Sequence, residues 1–388
     1  MSRLRHALSA VLACAPIPAC IPSGSACDKP AAACPTDGTT GDDGSTGTQG
    51  TTTTSPTTTA PTTTMGATSQ DDADSSTTEP LVCNGASLRV VSFNVKSVGA
   101  EGSDEWDALG SLLARLAPDV LCIEEFGDGE TGALRALTTA LGWSEPIQAE
   151  TSPAIGGELR NACMGPHPMA RIDSYGSELS GDADANDVGR DFLGVRLVLD
   201  GCPINVLAVH AKSGQEDLDF FRRQVEFVRL GQAVADVRDK RPGEAVVVMG
   251  DFNENTDDPA IGTVFDAEPA GLPPSYQLGD DIEFPLTYDP FATIAAAGLE
   301  RVEATHEDSE RIGTWGVSAA QDGIRIDYVW LDGPALDGAM VFDACRDDGV
   351  DEPPAGQFLP MQGDPVPCVA SAMASDHLPV VVDLTLAP

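Results

Sequence analysis

The sequence predicts an α/β protein, a mixed sheet system covered by helices, and three observations carry that expectation. From residue 81 onward, short β-branched runs alternate with amphipathic segments, helices interleaving with strands at first and strands dominating later. Apolar residues make up 41% of the 388, unevenly spread, which points to one large core and a tail rather than to several domains. Unusual polar residues fall at the ends of the apolar runs, where the chain passes from core to surface and loops carry function.

The elements follow in order. Residues 88–95 read as a buried strand; Trp106, Leu109, Leu112, Leu113 and Leu116 recur at helical spacing and Pro118 stops them; residues 120–123 read again as a strand. Residues 204–209 form the next clear strand. Leu218, Phe221, Val225 and Val228 then mark a long helix before a strand at 245–249. Strands at 324–330 and 378–386 complete the pattern.

The first eighty residues are of another kind. Arg3, Arg5 and His6 precede a small-residue apolar stretch, so residues 1–20 have the layout of a bacterial signal peptide. Cys14 follows Val-Leu-Ala and Cys20 follows Ile-Pro-Ala, and both resemble a lipoprotein processing site. The expectation is an exported protein, either secreted or held as a cell-surface or outer-membrane lipoprotein, with the membrane touched only through that N-terminal lipid anchor. Residues 21–80 read as a stalk, because 36–80 are almost wholly Thr, Ser, Gly, Pro, Asp and Ala and bury too little apolar surface to offset their ordering entropy. Residues 81–388 are the folded domain. Beyond the first twenty residues no apolar run approaches the roughly 18 to 20 needed to cross a bilayer.

Ten cysteines occur, six of them in the body, and an exported chain can oxidise them. Cys345 and Cys368 flank one loop rich in Gly, Pro and Asp and are the expected pair; spacing does not choose among the others. No Cys-x-x-Cys occurs, which argues against a structural zinc site.

Asn94 ends the first strand, Glu125 follows the second, His210 follows the strand at 204–209, and Asp251 and Asn253 follow the next. Asp327 lies in Ile-Asp-Tyr, and Asp376-His377 precedes the last strand. Singly, each has a plain explanation as a turn residue, a solvated acid or a structural histidine. Together they form a set able to neutralise charge, activate a water and move a proton. Carboxylates and amide oxygens without cysteine make a hard-oxygen site for magnesium first, with manganese or calcium as alternatives.

Six segments in this order, Ser-Phe-Asn94-Val, Pro-Asp-Val-Leu-Cys-Ile-Glu124-Glu125, His210-Ala-Lys212-Ser, Gly-Asp251-Phe-Asn253, Arg-Ile-Asp327-Tyr and Ser-Asp376-His377-Leu-Pro, resemble the endonuclease/exonuclease/phosphatase superfamily, the fold of pancreatic deoxyribonuclease. The resemblance spans 87–388 and implies a four-layer α/β sandwich, two mixed β-sheets face to face with helices outside. It implies Glu125 as main metal ligand, Asn94 and Asp376 completing or flanking the metal position, and Asp251 with Asn253 orienting the attacking water and the phosphate. His210 and His377 are similar to the histidine pair that shuttles protons or binds the scissile phosphate, and Asp327 to the carboxylate that orients His377. Glu124 stands where the family usually has Gln and reads as supporting or merely exposed. Arg190 and Lys212 resemble phosphate-contacting groups of bacterial extracellular members; surface charge is the plain alternative.

Residues 155–188 depart from the family pattern. Gly, Pro and acids stand where strands with substrate contacts are usual, and Asp182-Ala-Asp-Ala-Asn-Asp187 reads as a solvated acidic turn, with a loose calcium loop as the lesser alternative. The body carries 19 basic and 53 acidic residues, a formal charge of −34, and repels duplex DNA unless cations or local Arg and Lys screen it. The leading expectation is therefore an exported, divalent-metal-dependent phosphodiesterase, foremost a nuclease acting on nucleic acid, with no obligate protein partner evident. The alternative is the same chemistry on a nucleotide, phospholipid headgroup or inositol phosphate; a calcium-holding, non-catalytic surface module ranks third.

Overall fold

The structure is a computed structural model and describes residues 82–150, 159–306, 311–317, 322–347 and 360–387, all within the unit Ser75–Pro388. The expected signal peptide and stalk lie outside the described residues. In chain order the elements are β1 (Ala86–Asn94), α1 (Asp104–Leu116), β2 (Val120–Gly127), α2 (Thr131–Ala140), β3 (Ile147–Gln148), β4 (Leu159–Met164) and β5 (Met169–Tyr175). Then come β6 (Phe192–Leu199), β7 (Cys202–His210), α3 (Asp217–Lys240), β8 (Ala245–Asp251), β9 (Val264–Phe265), β10 (Leu286–Thr287) and α4 (Pro290–Ala296). The last are β11 (Glu300–Arg301), β12 (Thr305–His306), β13 (Asp327–Asp332), β14 (Ala335–Val341), α5 (Val369–Ala374) and β15 (Val380–Leu386).

Two mixed sheets result, ordered β12-β14-β15-β1-β2-β4-β3 and β11-β13-β8-β7-β6-β5, beside the small pair β10-β9. The apolar alternation explains how they stack. Leu88, Val90, Val120 and Cys122 of the first sheet and Val195, Ile204, Val206 and Val247 of the second point toward each other and form one buried core between the sheets. Their neighbours in sequence, Val91, Phe93, Leu121 and Ile123, point outward onto Leu109, Leu112, Leu113 and Leu116 of α1 and Ala370 of α5. On the far side, Leu207, Val209, Val246 and Val248 meet Phe227, Leu230, Val234 and Val237 of α3. The order helix, sheet, sheet, helix is the expected four-layer α/β sandwich.

Local chemistry sets the helix ends. Ser103 caps α1 by accepting from the Trp106 amide, Asp104, Glu105 and Asp107 sit in the positive first turn, and Ala117 turns left-handed just before Pro118. Truncating a fully buried residue of its stripe, such as Leu112→Ala, costs about 2–5 kcal/mol.

The structure adds elements the periodicity did not mark, among them α2, α4, α5 and β14, and departs from the sequence reading elsewhere as well. Residues 155–188 do contain strands, β4 and β5; the polar composition there hides them because β5 lies at the edge of its sheet and buries little. Asp187 is not a solvated acid: it is fully buried and pairs with Arg229 of α3 at 2.6 Å. The strands expected at 324–330 and 378–386 start later, at Asp327 and Val380, because the amides of Ile326 and Asp327 bond the Thr314 hydroxyl and that of Leu378 bonds the Thr314 carbonyl. Cys345–Cys368 is disulfide-bonded, as are Cys83–Cys202 and Cys122–Cys163, the last joining partners directly opposite on β2 and β4.

Candidate active site

Both sheets end at the site. In the second sheet the register sets His210 beside Asp251 and Asp251 beside Asp327, one row across β7, β8 and β13. In the first, Asn94 of β1 lies beside Glu124 of β2. The Asn94 amide crosses between sheets and donates to Asp251 Oδ2 at 2.9 Å, so each sheet's end fixes the other's.

The backbone aims these groups by leaving regular geometry. Glu125 (φ 62°) and Asn253 (φ 52°) are left-handed without being glycine, and the β2–β4 register shifts between Ile123 and Phe126. That shift lets consecutive Glu124 and Glu125 both reach the site region, where a regular strand would send them to opposite faces. Gly250 has φ 149°, and a Cβ there would meet the Val209 carbonyl oxygen at 1.8 Å. No other residue brings Asp251 this close to His210 without moving β7.

The two histidines differ sharply. His377 Nδ1 faces Asp327 Oδ2 at 2.9 Å. Burial opposes its charge, but Asp327, then Asp251 and Asp376, raise its pKa to about 9. His377 is therefore an imidazolium at neutral pH, with Nε2 turned toward Asp251 Oδ2 at 3.9 Å. His210 is fully buried, and neither ring nitrogen has a hydrogen-bond partner among the described residues. Its Nε2 lies 3.3 Å from Glu125 Oε1 and 3.8 Å from Asp251 Oδ2. Burial, then Arg190 and His377, hold its pKa well below the usual histidine range, so it is neutral.

Asp251 sits between them. Its Oδ1 accepts the Asn253 amide at 2.8 Å and its Oδ2 the Asn94 side chain. Burial and the Asp327 charge push its pKa up to about 7, against the pull of His377 and these two donors. Asn253 is held in turn, its side chain donating to the Ala211 carbonyl at 3.0 Å. Arg190 Nη1 donates to that same carbonyl at 3.2 Å, which places the guanidinium beside Asn253 and His210.

Two sequence-nominated residues stand apart from this group. Asp376 pairs with Lys96 at 2.9 Å on the exposed rim, and the Lys96 hydrogen bond, against partial burial, holds its pKa below the ordinary range. Lys212 pairs with Asp219 of α3 at 2.7 Å. Of the two readings its sequence context allowed, Glu124 takes the supporting one: it is fully buried, and neither carboxylate oxygen has a hydrogen-bond partner among the described residues. Burial, then Asp327, Asp251 and Glu125, push its pKa well above the usual carboxylate range. Thr314 and Ser375 were not nominated as site residues from the sequence, Ser375 standing only at the head of the Ser-Asp-His motif. The Thr314 hydroxyl bonds the Asp327 amide, and Ser375 Oγ accepts the His377 amide while donating to the Asn94 carbonyl at 2.7 Å. Ser375 borders the Asp-His motif, whereas nothing marks Thr314.

Ligand atoms of Glu125, His210 and Asp251 lie within 4.8 Å of one another, as do those of Asp251, Asp327 and His377. His377 and Asp327 satisfy each other, so the first group fits a cation better. The crowding of acids around Glu124 and Asp251 fits one as well, because a divalent ion offsets the like charges that raise the pKa of those two.

Residues 91–377 match the Endonuclease/Exonuclease/phosphatase family. No curated protein matches the chain. Solved structures with a related fold include truncated TDP2 of Caenorhabditis elegans, at 14% identity over 77% of this chain and 97% of that one, TM-score 0.45. The human Nocturnin catalytic domain with bound sulfate aligns at 15% identity over 78% and 96%, TM-score 0.47. An endonuclease/exonuclease/phosphatase family protein of Bacteroides thetaiotaomicron aligns at 14% over 78% and 99%, TM-score 0.45.

Proposed function

The chain belongs to the endonuclease/exonuclease/phosphatase family, and from that premise we propose that it is an exported, divalent-metal-dependent phosphodiesterase, foremost a nuclease. The observation that carries the reading is Asp251, pinned by two amide donors between one charged and one neutral histidine.

Each group has a distinct task. Asp251, with a pKa near neutrality, accepts the proton of the attacking water, and Asn253 and Asn94 fix the direction in which it does so. His377, kept protonated by Asp327, donates from Nε2 to a non-bridging phosphoryl oxygen. Neutral His210 orients the phosphate against Glu125, and Arg190 approaches from the Asn253 side as a charged fork. Glu125 and Asp251 would hold magnesium, manganese or calcium, with Asn94 steadying Asp251 and Asp376, paired with Lys96, only flanking the position at the rim. Such an ion supplies neutralisation of charge developing on the phosphoryl and leaving oxygens.

The leader and stalk support export to the surface or medium, and three disulfides accord with an oxidising compartment. A second reading, the same chemistry on a small phosphoester, draws on the body charge of −34, which opposes a long polyanion. Purified protein incubated with plasmid DNA, RNA, bis-p-nitrophenyl phosphate and p-nitrophenyl phosphate tests both. Cleavage of DNA or RNA that EDTA and His377→Ala abolish supports the nuclease, and hydrolysis of the small esters alone moves the assignment to the second reading. Activity that survives EDTA would sink the metal-dependent mechanism.

A further inference from the structure

Helix α3 carries a stripe of charged residues on its buried face. Asp219, Arg223 and Glu226 recur at helical spacing, and Arg223 and Glu226 are buried. All three grip the loop that follows His210. Arg223 Nε donates to the Lys212 carbonyl at 2.7 Å, and its Nη2 donates to the Gly214 carbonyl. Asp219 takes the Lys212 ammonium. Glu226 does something further: Oε2 accepts the Lys212 amide at 2.6 Å while Oε1 accepts the Gly189 amide at 3.0 Å.

Those two amides belong to separate segments. One runs directly on from His210; the other directly precedes Arg190, whose guanidinium returns to the Ala211 carbonyl. We propose that Glu226 is a positioning residue that fixes the His210 and Arg190 segments relative to each other, setting the phosphate-facing edge of the site. The inference rests on the phosphodiesterase reading. Both carboxylate oxygens are needed, since each serves one amide; glutamine has a single acceptor and turns an NH2 toward the other N–H. Gly189 is part of the device, because a Cβ there would meet Glu226 Oε1 at 3.0 Å, close enough that the carboxylate must shift by a few tenths of an ångström.

The test compares the full-length wild-type protein with Glu226→Gln and Gly189→Ala. The probes are bis-p-nitrophenyl phosphate hydrolysis, inhibition by inorganic phosphate and manganese binding by calorimetry. Asp383→Asn, which weakens the buried Arg89 pair far from the site, serves as a control for instability. The expected result is a fall in kcat/KM of about 10- to 100-fold in Glu226→Gln and a smaller fall in Gly189→Ala. Phosphate inhibition should weaken in parallel, while manganese affinity and near-ultraviolet circular dichroism stay unchanged. Asp383→Asn should lower Tm and leave kcat/KM and phosphate inhibition as they are. If both site variants match an active wild type, or lose Tm alone as the control does, the positioning role is overturned by itself. If the wild type neither hydrolyses a phosphoester nor responds to phosphate, the phosphodiesterase reading fails and this inference falls with it.

Discussion

Charges buried within the layers and charges buried at the strand ends follow opposite rules. Among the described residues of the layers, Arg89 is answered by Asp383 at 2.7 Å and Arg229 by Asp187 and Asp281. At the strand ends Glu124, Asp251 and Asp327 crowd together, and among the described residues neither the Glu124 carboxylate nor the His210 ring beside Asp251 has a hydrogen-bond partner. A fold that satisfies its buried groups in one place and leaves them strained in another marks the second as functional. The layers are arranged for stability, and the strand ends for an ion and a substrate that complete them.

Mutations on either side sharpen this contrast. The largest effect is expected for Asp327→Asn, which should lower kcat about 100- to 10,000-fold while Tm changes little, since His377 loses the charge that keeps it protonated. The opposite outcome belongs to Arg229→Ala. It strands the buried Asp187 and should cost about 3–5 kcal/mol in urea unfolding, yet leave kcat of the folded fraction intact. A matching loss of kcat there would erase the distinction between the two regions.

Glu124→Gln comes next. An acid whose folded pKa is raised binds its proton more tightly in the native state than the unfolded chain does. Its presence therefore lowers stability as pH climbs from the ordinary value of 4.5 toward the raised one. The variant in EDTA should lose up to one proton's worth of this slope, about 1.4 kcal/mol per pH unit, and gain stability at pH 7. Unchanged pH dependence of Tm would show Glu124 to be ionised and solvated. The pH profile of kcat/KM should be a bell, rising through Asp251 near 7 and falling as His377 loses its proton near 9. A bound cation moves the acid limb lower, and Asp327→Asn should move the alkaline limb down. The smallest effect is Lys96→Ala on the exposed Asp376 pair, about 0.5 kcal/mol or less in stability.

Much of this was legible beforehand, for local reasons. Strands such as β1 and β8 and the stripe of α1 announce themselves because side-chain period is a property of neighbouring residues. Asn94, Glu125, His210, Asp251 and Asp327 stand at the ends of such runs and were visible as breaks in them. β5 was hidden because an edge strand needs little apolar surface, and Glu124 was left between a supporting and an exposed place because one residue of register shift decides whether it faces solvent or acids.

The sequence alone therefore determined the most buried strands and the helices α1 and α3, the disulfide-capable body and the polar groups delivered to strand ends, since propensity and period act over a few residues. Only the tertiary structure decided that Asn94 bonds Asp251 across two sheets, that Cys83 meets Cys202 and Cys122 meets Cys163, and that Glu226 joins the His210 and Arg190 segments. Those outcomes depend on register and on the packing of layers, and long-range contacts of that kind leave no periodic trace in the chain.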